Sequence, residues 1–317
     1  MDPVASIEIG SNSIRMLIAE KGTSATAFTP VLRTRVITRL GESFNTNEGC
    51  TLKPSAMARS ISALQDFFAI ASQFGVSSPR VIATGVVRKA ANRDTFIASI
   101  AERLGHEVRI VSGQEEAELT EKGVLSSLDL ETGSSVIFDL GGGSTEFIHT
   151  NSKETTYLSV ELGAVVLQEM FLKSDPPKDE EIWHLSRHIE NVCNIRLSSL
   201  RESQDRNPTF IGTGGTVVTL AAMIHGITED KFSERNIHGL SVKRHDVGLL
   251  FKTLKAMPAA ERLSSPGLEF GREDIILPGT LIVMKFMDYF GKDEIIVSYG
   301  DLLEGILIQR LGGEGDG

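Results

Sequence analysis

Two stretches of this chain carry nearly the same pattern. The first reads Ser6-Ile7-Glu8-Ile9-Gly10-Ser11-Asn12-Ser13-Ile14-Arg15-Met16-Leu17-Ile18. The second reads Val136-Ile137-Phe138-Asp139-Leu140-Gly141-Gly142-Gly143-Ser144-Thr145-Glu146-Phe147-Ile148. Each is an apolar strand, an acid, a small-residue turn and a second apolar strand. Aligned on the acid, Gly10 falls on Gly141 and Ser13 on Ser144. Small residues let a backbone come close to a ligand, and consecutive turn amides form an anion-binding concavity. An acid at the adjoining strand end is placed to hold a divalent cation. Two such hairpins facing each other would grip a metal–phosphate group from both sides. The pair predicts two related halves with phosphate chemistry in a cleft between them.

The chain is long enough for two domains: 317 residues, 41% of them hydrophobic. Strands alternating with helices predict an α/β protein. Strands are expected over 4–20 and 24–39, at Arg80–Thr84 and at Val108–Val111. Helices are expected over 54–75, 86–104 and 114–126. A break near 127–133 starts the second half with a strand at Ser134–Asp139. Beyond it come a strand at 156–161, helices at 163–172 and 178–203, and a strand at 209–211. That strand runs into Gly212-Thr213-Gly214-Gly215-Thr216 and a helix from 217 to 225. Helices at 244–256 and 273–290, a strand at 294–298 and a helix at 302–311 close the pattern. The Gly-rich tail after 311 is too polar to order itself.

The formal net charge of −10 argues against a nucleic-acid binder. If the substrate is a polyanion, attraction must come from local basic clusters. Arg33, Arg35 and Arg39 alternate along one strand and could form such a strip, or simply a solvated edge. No apolar run reaches the length of a membrane span and no signal peptide is visible, which predicts a cytoplasmic protein. Cys50 and Cys193 have no paired spacing and read as free thiols. His184 and His188 have helical metal-ligand spacing, but no third ligand is nearby, so packing or surface roles are expected.

Together the motifs resemble the exopolyphosphatase / guanosine pentaphosphate phosphohydrolase family, of the actin, sugar kinase and heat-shock ATPase superfamily. Gly10-Ser11-Asn12-Ser13 and Asp139 through Glu146 are similar to its two phosphate loops. Ala83-Thr84 through Arg88 and Asn92, Ser112 through Ala117, and Gly212 through Thr216 resemble three further motifs. The stretch Gly267-Leu268-Glu269 through Arg272, Asp274, Ile275 and Gly279 also fits. The resemblance implies two actin-like (ribonuclease H-like) α/β domains with an interdomain cleft. Their bounds would be 1–130 and 131–298, with helix 302–311 returning to the first domain.

It also implies a phosphoanhydride hydrolase. The leading activity is exopolyphosphatase. The alternatives are removal of the 5′ γ-phosphate of guanosine pentaphosphate, and a non-catalytic phosphate sensor. The chain ends without the extra helical domain of long members, so short polyphosphates are expected. Mg2+ (or Mn2+) would be held by Asp139, Glu146 and Glu8. Glu116 would act as general base on the attacking water; its bland rival is an acid favoured at a helix start by the dipole. Phosphate would be bound by Gly10, Ser11, Asn12, Ser13, Arg15, Arg88, Asn92, Gly141, Gly142, Gly143, Ser144, Thr145, Gly214, Gly215 and Thr216. Arg15 and Arg88 can make bidentate contacts to phosphate oxygens. Arg88 and Asn92, four apart, are expected on one helical face. Ser13 and Ser144 are expected as donors to phosphate, since no His is placed to activate them. A homodimer is left open.

Two departures from the family stand out. Glu8 replaces its usual Asp. In the family's SxxGLREG segment, Asp301 replaces the Gly and Leu303 replaces the Arg, so any contact made by that Arg is missing.

Overall fold

In the computed structural model, described over residues 3–22, 28–44, 49–128, 134–151, 153–202 and 207–312, the chain divides into two compact units. One comprises Met1–Ser126 with Asp301–Gly317, the other Ser127–Gly300. Residues 24–27 of the expected second strand, most of the expected break at 127–133 and the tail 313–317 lie outside the described residues.

Among the described residues, the first unit holds β1 (Pro3–Ile9), β2 (Ser13–Lys21), β3 (Phe28–Ile37), β4 (Arg80–Ala83) and β5 (Arg109–Ile110). They form one sheet in the order β3-β2-β1-β4-β5. The first three strands are antiparallel neighbours, and β4 and β5 continue in parallel. Helices α1 (Pro54–Gln73), α2 (Gly85–Lys89), α3 (Arg93–Leu104), α4 (Gly113–Ser127) and the C-terminal helix (Leu302–Leu311) cover it.

Alternation along the strands assigns its two faces. Ala5, Ile7 and Ile9 with Ile14, Met16 and Ile18 point into a core shared with Leu64 and Phe67 of α1. Val4, Leu17 and Ile82 point the other way, onto Leu302, Leu303, Ile306 and Leu307. Those four leucines and isoleucines lie on one stripe of the C-terminal helix and are at most 1% exposed. Their burial is worth roughly 6–12 kcal/mol before chain entropy is counted. Leu303, where the family has Arg, is fully buried in this apolar layer.

The C-terminal helix crosses α4 backbone to backbone. A Cβ on Gly305 would stand 1.8 Å from the Leu119 carbonyl oxygen, and one on Gly123 would stand 1.8 Å from that of Asp301. Only glycine permits this approach.

The second unit repeats the plan. β6 (Ser135–Leu140), β7 (Thr145–Thr150), β8 (Thr155–Val160), β9 (Thr209–Thr213), β10 (Ser241–Lys243) and β11 (Glu294–Val297) order as β10-β11-β9-β6-β7-β8. Again three antiparallel strands lead, two parallel strands follow, and β10 adds an antiparallel edge. The helices are α5 (Ala164–Phe171), α6 (Asp179–Arg196), α7 (Ser198–Glu202), α8 (Gly215–His225), α9 (Glu234–Ile237), α10 (Arg244–Ala256), α11 (Ala259–Arg262) and α12 (Ile276–Phe290). Phe138 and Phe147 pack with Phe286 of α12, and Phe210 with Phe138; the Phe147–Phe286 pair meets edge-on at 4.9 Å. Two α/β units with this shared strand order are the actin-like architecture the sequence led us to expect.

Some boundaries differ. The helix expected over 86–104 is two helices, because Ala90 is extended at φ −71°, ψ 130°. Arg88 and Asn92 therefore do not share a helical face: Arg88 lies in α2 and Asn92 precedes α3. The four-residue helices α9 and α11 and the three-residue β10 are too short to show a period in sequence.

Candidate active site

The two glycine turns have the same geometry. Gly10 donates its amide to the Ser13 carbonyl at 3.0 Å, and Gly141 donates to Ser144 at 3.0 Å. A Cβ on either glycine would meet the same serine carbonyl at 3.1 Å. Ser11, Asn12 and Ser13 are buried, as are Ser144 and Thr145; Gly142 and Gly143 are half-buried. The Gly141 and Gly142 carbonyls accept from the first amides of α5, which fixes the second turn on that helix.

What faces the acid differs between the turns. Register places Glu8 opposite Arg15, and Asp139 opposite Glu146. In the first hairpin the acid meets a cation. Arg15 Nε donates to Glu8 Oε2 at 2.7 Å, its Nη2 pairs with the same oxygen, and its Nη1 pairs with Asp301. In the second hairpin the acid meets another acid. Asp139 is 8% exposed and Glu146 2%, and Glu146 Oε1 accepts from the hydroxyls of Ser144 and Ser159, both at 2.8 Å. Adjacent buried carboxylates repel unless a cation joins them. The Ser144 hydroxyl, expected as a donor to phosphate, here donates to the Glu146 carboxylate.

Glu116 stands in the first turn of α4, 6% exposed, and Arg88 Nη1 bridges it and the Val111 carbonyl, each at 2.8 Å. Asn92 uses its amide on the backbone, accepting from Leu52 N at 2.9 Å and donating to Leu52 O at 3.0 Å. In the third loop Gly214 takes φ +90°, and a Cβ there would stand 2.4 Å from Asp139 Oδ1. Gly215 and the buried Thr216 open α8. Arg272, given no role in the sequence reading, lies against Gly215: a Cβ on that glycine would stand 1.9 Å from its Nη2. Glu269 orients it, accepting from Arg272 Nε at 2.6 Å and from Thr219 Oγ1 at 2.9 Å. The visible signal was the acid–base pair three residues apart in the 267–279 motif. His188 packs at a tilt against Phe171 with ring centroids 5.0 Å apart, and His184 meets Trp183 edge-on. Among the described residues Cys50 and Cys193 are free, and burial pushes the Cys193 thiol up to about 12.

The donors fit a hard cation. Asp139 and Glu146 offer carboxylate oxygens only, and Gly214 leaves the space beside Asp139 that a side chain would fill. Among the described residues no group of three or more His, Cys, Asp or Glu could hold a metal. Two carboxylates with the remaining positions left to substrate and water is the pattern Mg2+ favours.

Comparison with known proteins fits this geometry. The model of the Ppx/GppA phosphatase family matches residues 17–314. The chain belongs to the Ppx/GppA phosphatase family. It is 31% identical over 320 residues to Exopolyphosphatase 2 of Mycobacterium tuberculosis, covering 98% of each chain. It is 26% identical to the guanosine-5'-triphosphate,3'-diphosphate pyrophosphatase of Pseudoalteromonas translucida, covering 59% of that longer protein. Among solved structures, the Aquifex aeolicus Ppx/GppA family member superposes with a TM-score of 0.78 at 29% identity, covering 99% of both chains. A Cytophaga hutchinsonii exopolyphosphatase superposes at 0.86 and 25% identity, again covering 99% of both. As a Ppx/GppA phosphatase this chain is a phosphoanhydride hydrolase. Among the described residues no helix is long and apolar enough to cross a membrane.

Proposed function

We propose that this chain is an exopolyphosphatase that releases terminal orthophosphate from inorganic polyphosphate with Mg2+. The observation carrying this reading is the buried Asp139–Glu146 pair flanking the Gly141–Ser144 turn, with Gly214 against Asp139. Asp139 and Glu146 would hold the metal, which when bound neutralises charge on the transferred phosphoryl group. Main-chain amides of the Gly10–Ser13 and Gly141–Ser144 turns would cradle phosphate oxygens. Glu116, its carboxylate aimed by Arg88, would take the proton of the attacking water. Arg272, held by Glu269, would place positive charge at the start of α8. The full-length similarity to Exopolyphosphatase 2 of M. tuberculosis favours polyphosphate over guanosine pentaphosphate.

The test is phosphate release from tripolyphosphate, long polyphosphate, guanosine pentaphosphate and ATP, with and without Mg2+. Polyphosphates should be turned over fastest, and only with the metal. Preference for guanosine pentaphosphate would move the assignment to the alternative activity. Metal-independent release would remove Asp139 and Glu146 as metal ligands.

A further inference from the structure

The Gly10–Ser13 hairpin carries an arginine two residues beyond its turn, yet the guanidinium is already spoken for. A phosphate is best gripped by two parallel N–H bonds from one face of the fork. Arg15 spends Nε and Nη2 on Glu8 and Nη1 on Asp301, so its two terminal nitrogens are split between two carboxylates. Arg33, on the same face of the sheet, is divided in the same way. Its Nη1 lies 3.7 Å from Asp301 Oδ2 and its Nη2 pairs with Glu304. Both arginine side chains keep partial exposure, 18% and 22%, whereas that of Asp301 has 4%. The cations thus reach the surface and the acid restraining them does not.

Asp301 divides its work between its two oxygens. Oδ1 accepts from the Leu303 amide at 2.9 Å and caps the C-terminal helix. Oδ2 faces Arg15 and Arg33. The Asp301 amide donates to Glu304 at 2.8 Å, which closes the capping box. A helix start needs only the first oxygen, and serine or asparagine would serve as well. The second oxygen is surplus to capping, and the family's usual glycine has none.

We propose that Asp301 is a positioning residue that withholds Arg15 and Arg33 from substrate phosphates, and so biases this chain against long polyphosphate. The inference rests on the polyphosphate reading above. A long chain gains affinity by engaging several cations at once. Two arginines clamped by buried acids remove part of that gain, while a short substrate held by the glycine turns loses little.

The test compares Asp301→Asn with its parent, both carrying Glu116→Gln so that bound substrate is not consumed. Asparagine keeps the Leu303 cap through its carbonyl and turns an NH2 toward the guanidiniums, which releases Arg15 Nη1 and Arg33 Nη1 from Asp301. Calorimetry with tripolyphosphate and with long-chain polyphosphate should show tighter binding of both by Asp301→Asn. The gain should be about tenfold for the long chain, the value of roughly one charge-assisted hydrogen bond, and smaller for tripolyphosphate. In the otherwise wild-type background KM should fall more than kcat changes. A purely structural Asp301 would lower the melting temperature and leave the ratio of the two affinities alone. Asp301→Ser, which also caps but reaches neither arginine, repeats the comparison if the asparagine variant melts early.

Equal or weaker binding by both folded variants overturns the inference, as does failure of either anion to bind any of the proteins. Absence of phosphate release by the wild-type chain strikes the proposed activity instead, because the affinities are read without turnover.

Discussion

Gly305→Ala tests the crossing on which the first unit depends. An alanine in a helix interior ordinarily gains about 1 kcal/mol over glycine. Here the added Cβ would stand 1.8 Å from the Leu119 carbonyl oxygen and 2.5 Å from its carbon. Ordinary contact needs about 3.4 Å, so α4 and the C-terminal helix must part by roughly 1.5 Å, since backbone cannot rotate away as a side chain can. Parting them loosens Leu302, Leu303, Ile306 and Leu307 against the sheet. Overpacking of this kind costs typically 1–3 kcal/mol and sometimes more, which outweighs the helix gain. We expect a net loss of about 1 kcal/mol. Gly248→Ala in α10 is the control. Its Cβ would meet only the far end of the Arg244 side chain at 3.1 Å, so it should stabilise by about 0.5–1 kcal/mol. Calorimetric melting of both variants reads the two signs. Because α4 also carries Glu116, Gly305→Ala should lower phosphate release at temperatures where it remains folded. A Gly305→Ala protein that melts at or above the wild type refutes the argument.

Other outcomes follow from the same geometry. Glu116→Gln keeps a partner for Arg88 but cannot accept a proton, so kcat should fall about 10²–10⁴-fold with tripolyphosphate binding retained; a loss below tenfold excludes it as the base. Leu303→Arg, which would restore the family's residue, places a charge in a fully buried apolar layer and should cost several kcal/mol; an unchanged melting temperature with faster turnover would show that the guanidinium finds a partner. The Ser174 hydroxyl, with backbone amides at Lys178, Lys173 and Ser174, draws the Glu181 carboxyl down to about 2. Its folded value lies below the unfolded one of about 4.3, so its stabilisation is present above that pH and is lost as pH falls toward 2. The difference in melting temperature between wild type and Glu181→Gln should therefore shrink from pH 6 to pH 3, and a constant difference would contradict the assignment.

The two hairpins were legible because everything that defines them is consecutive: strand, acid, glycine and strand. The last helix was legible for the same reason, and it runs from Leu302 to Leu311 as expected. Features fixed by distant partners were not. The helix expected over 86–104 breaks where Asn92 pins Leu52, forty positions away. Arg15 reads as an available cation in sequence because Asp301 lies 286 positions further on. Arg272 and Gly215 meet only once α8 and the 267–279 segment are folded together. Sequence periodicity reports which face an element buries; it is silent on which buried charges meet.

The discontinuity of the first unit sets an order of assembly. Residues 127–300 form one unbroken segment and can close around Phe138 and Phe286 as soon as α12 and β11 have left the ribosome. The first unit is begun earlier and finished later. Its sheet can pair and cover one face with α1, but the face bearing Val4, Leu17 and Ile82 waits for the helix Leu302–Leu311, which is encoded after the whole of the second unit. Until then that apolar layer is open to water and to chaperones. A nascent chain stalled short of residue 302 would expose it, and a stop codon there would leave a half-roofed sheet.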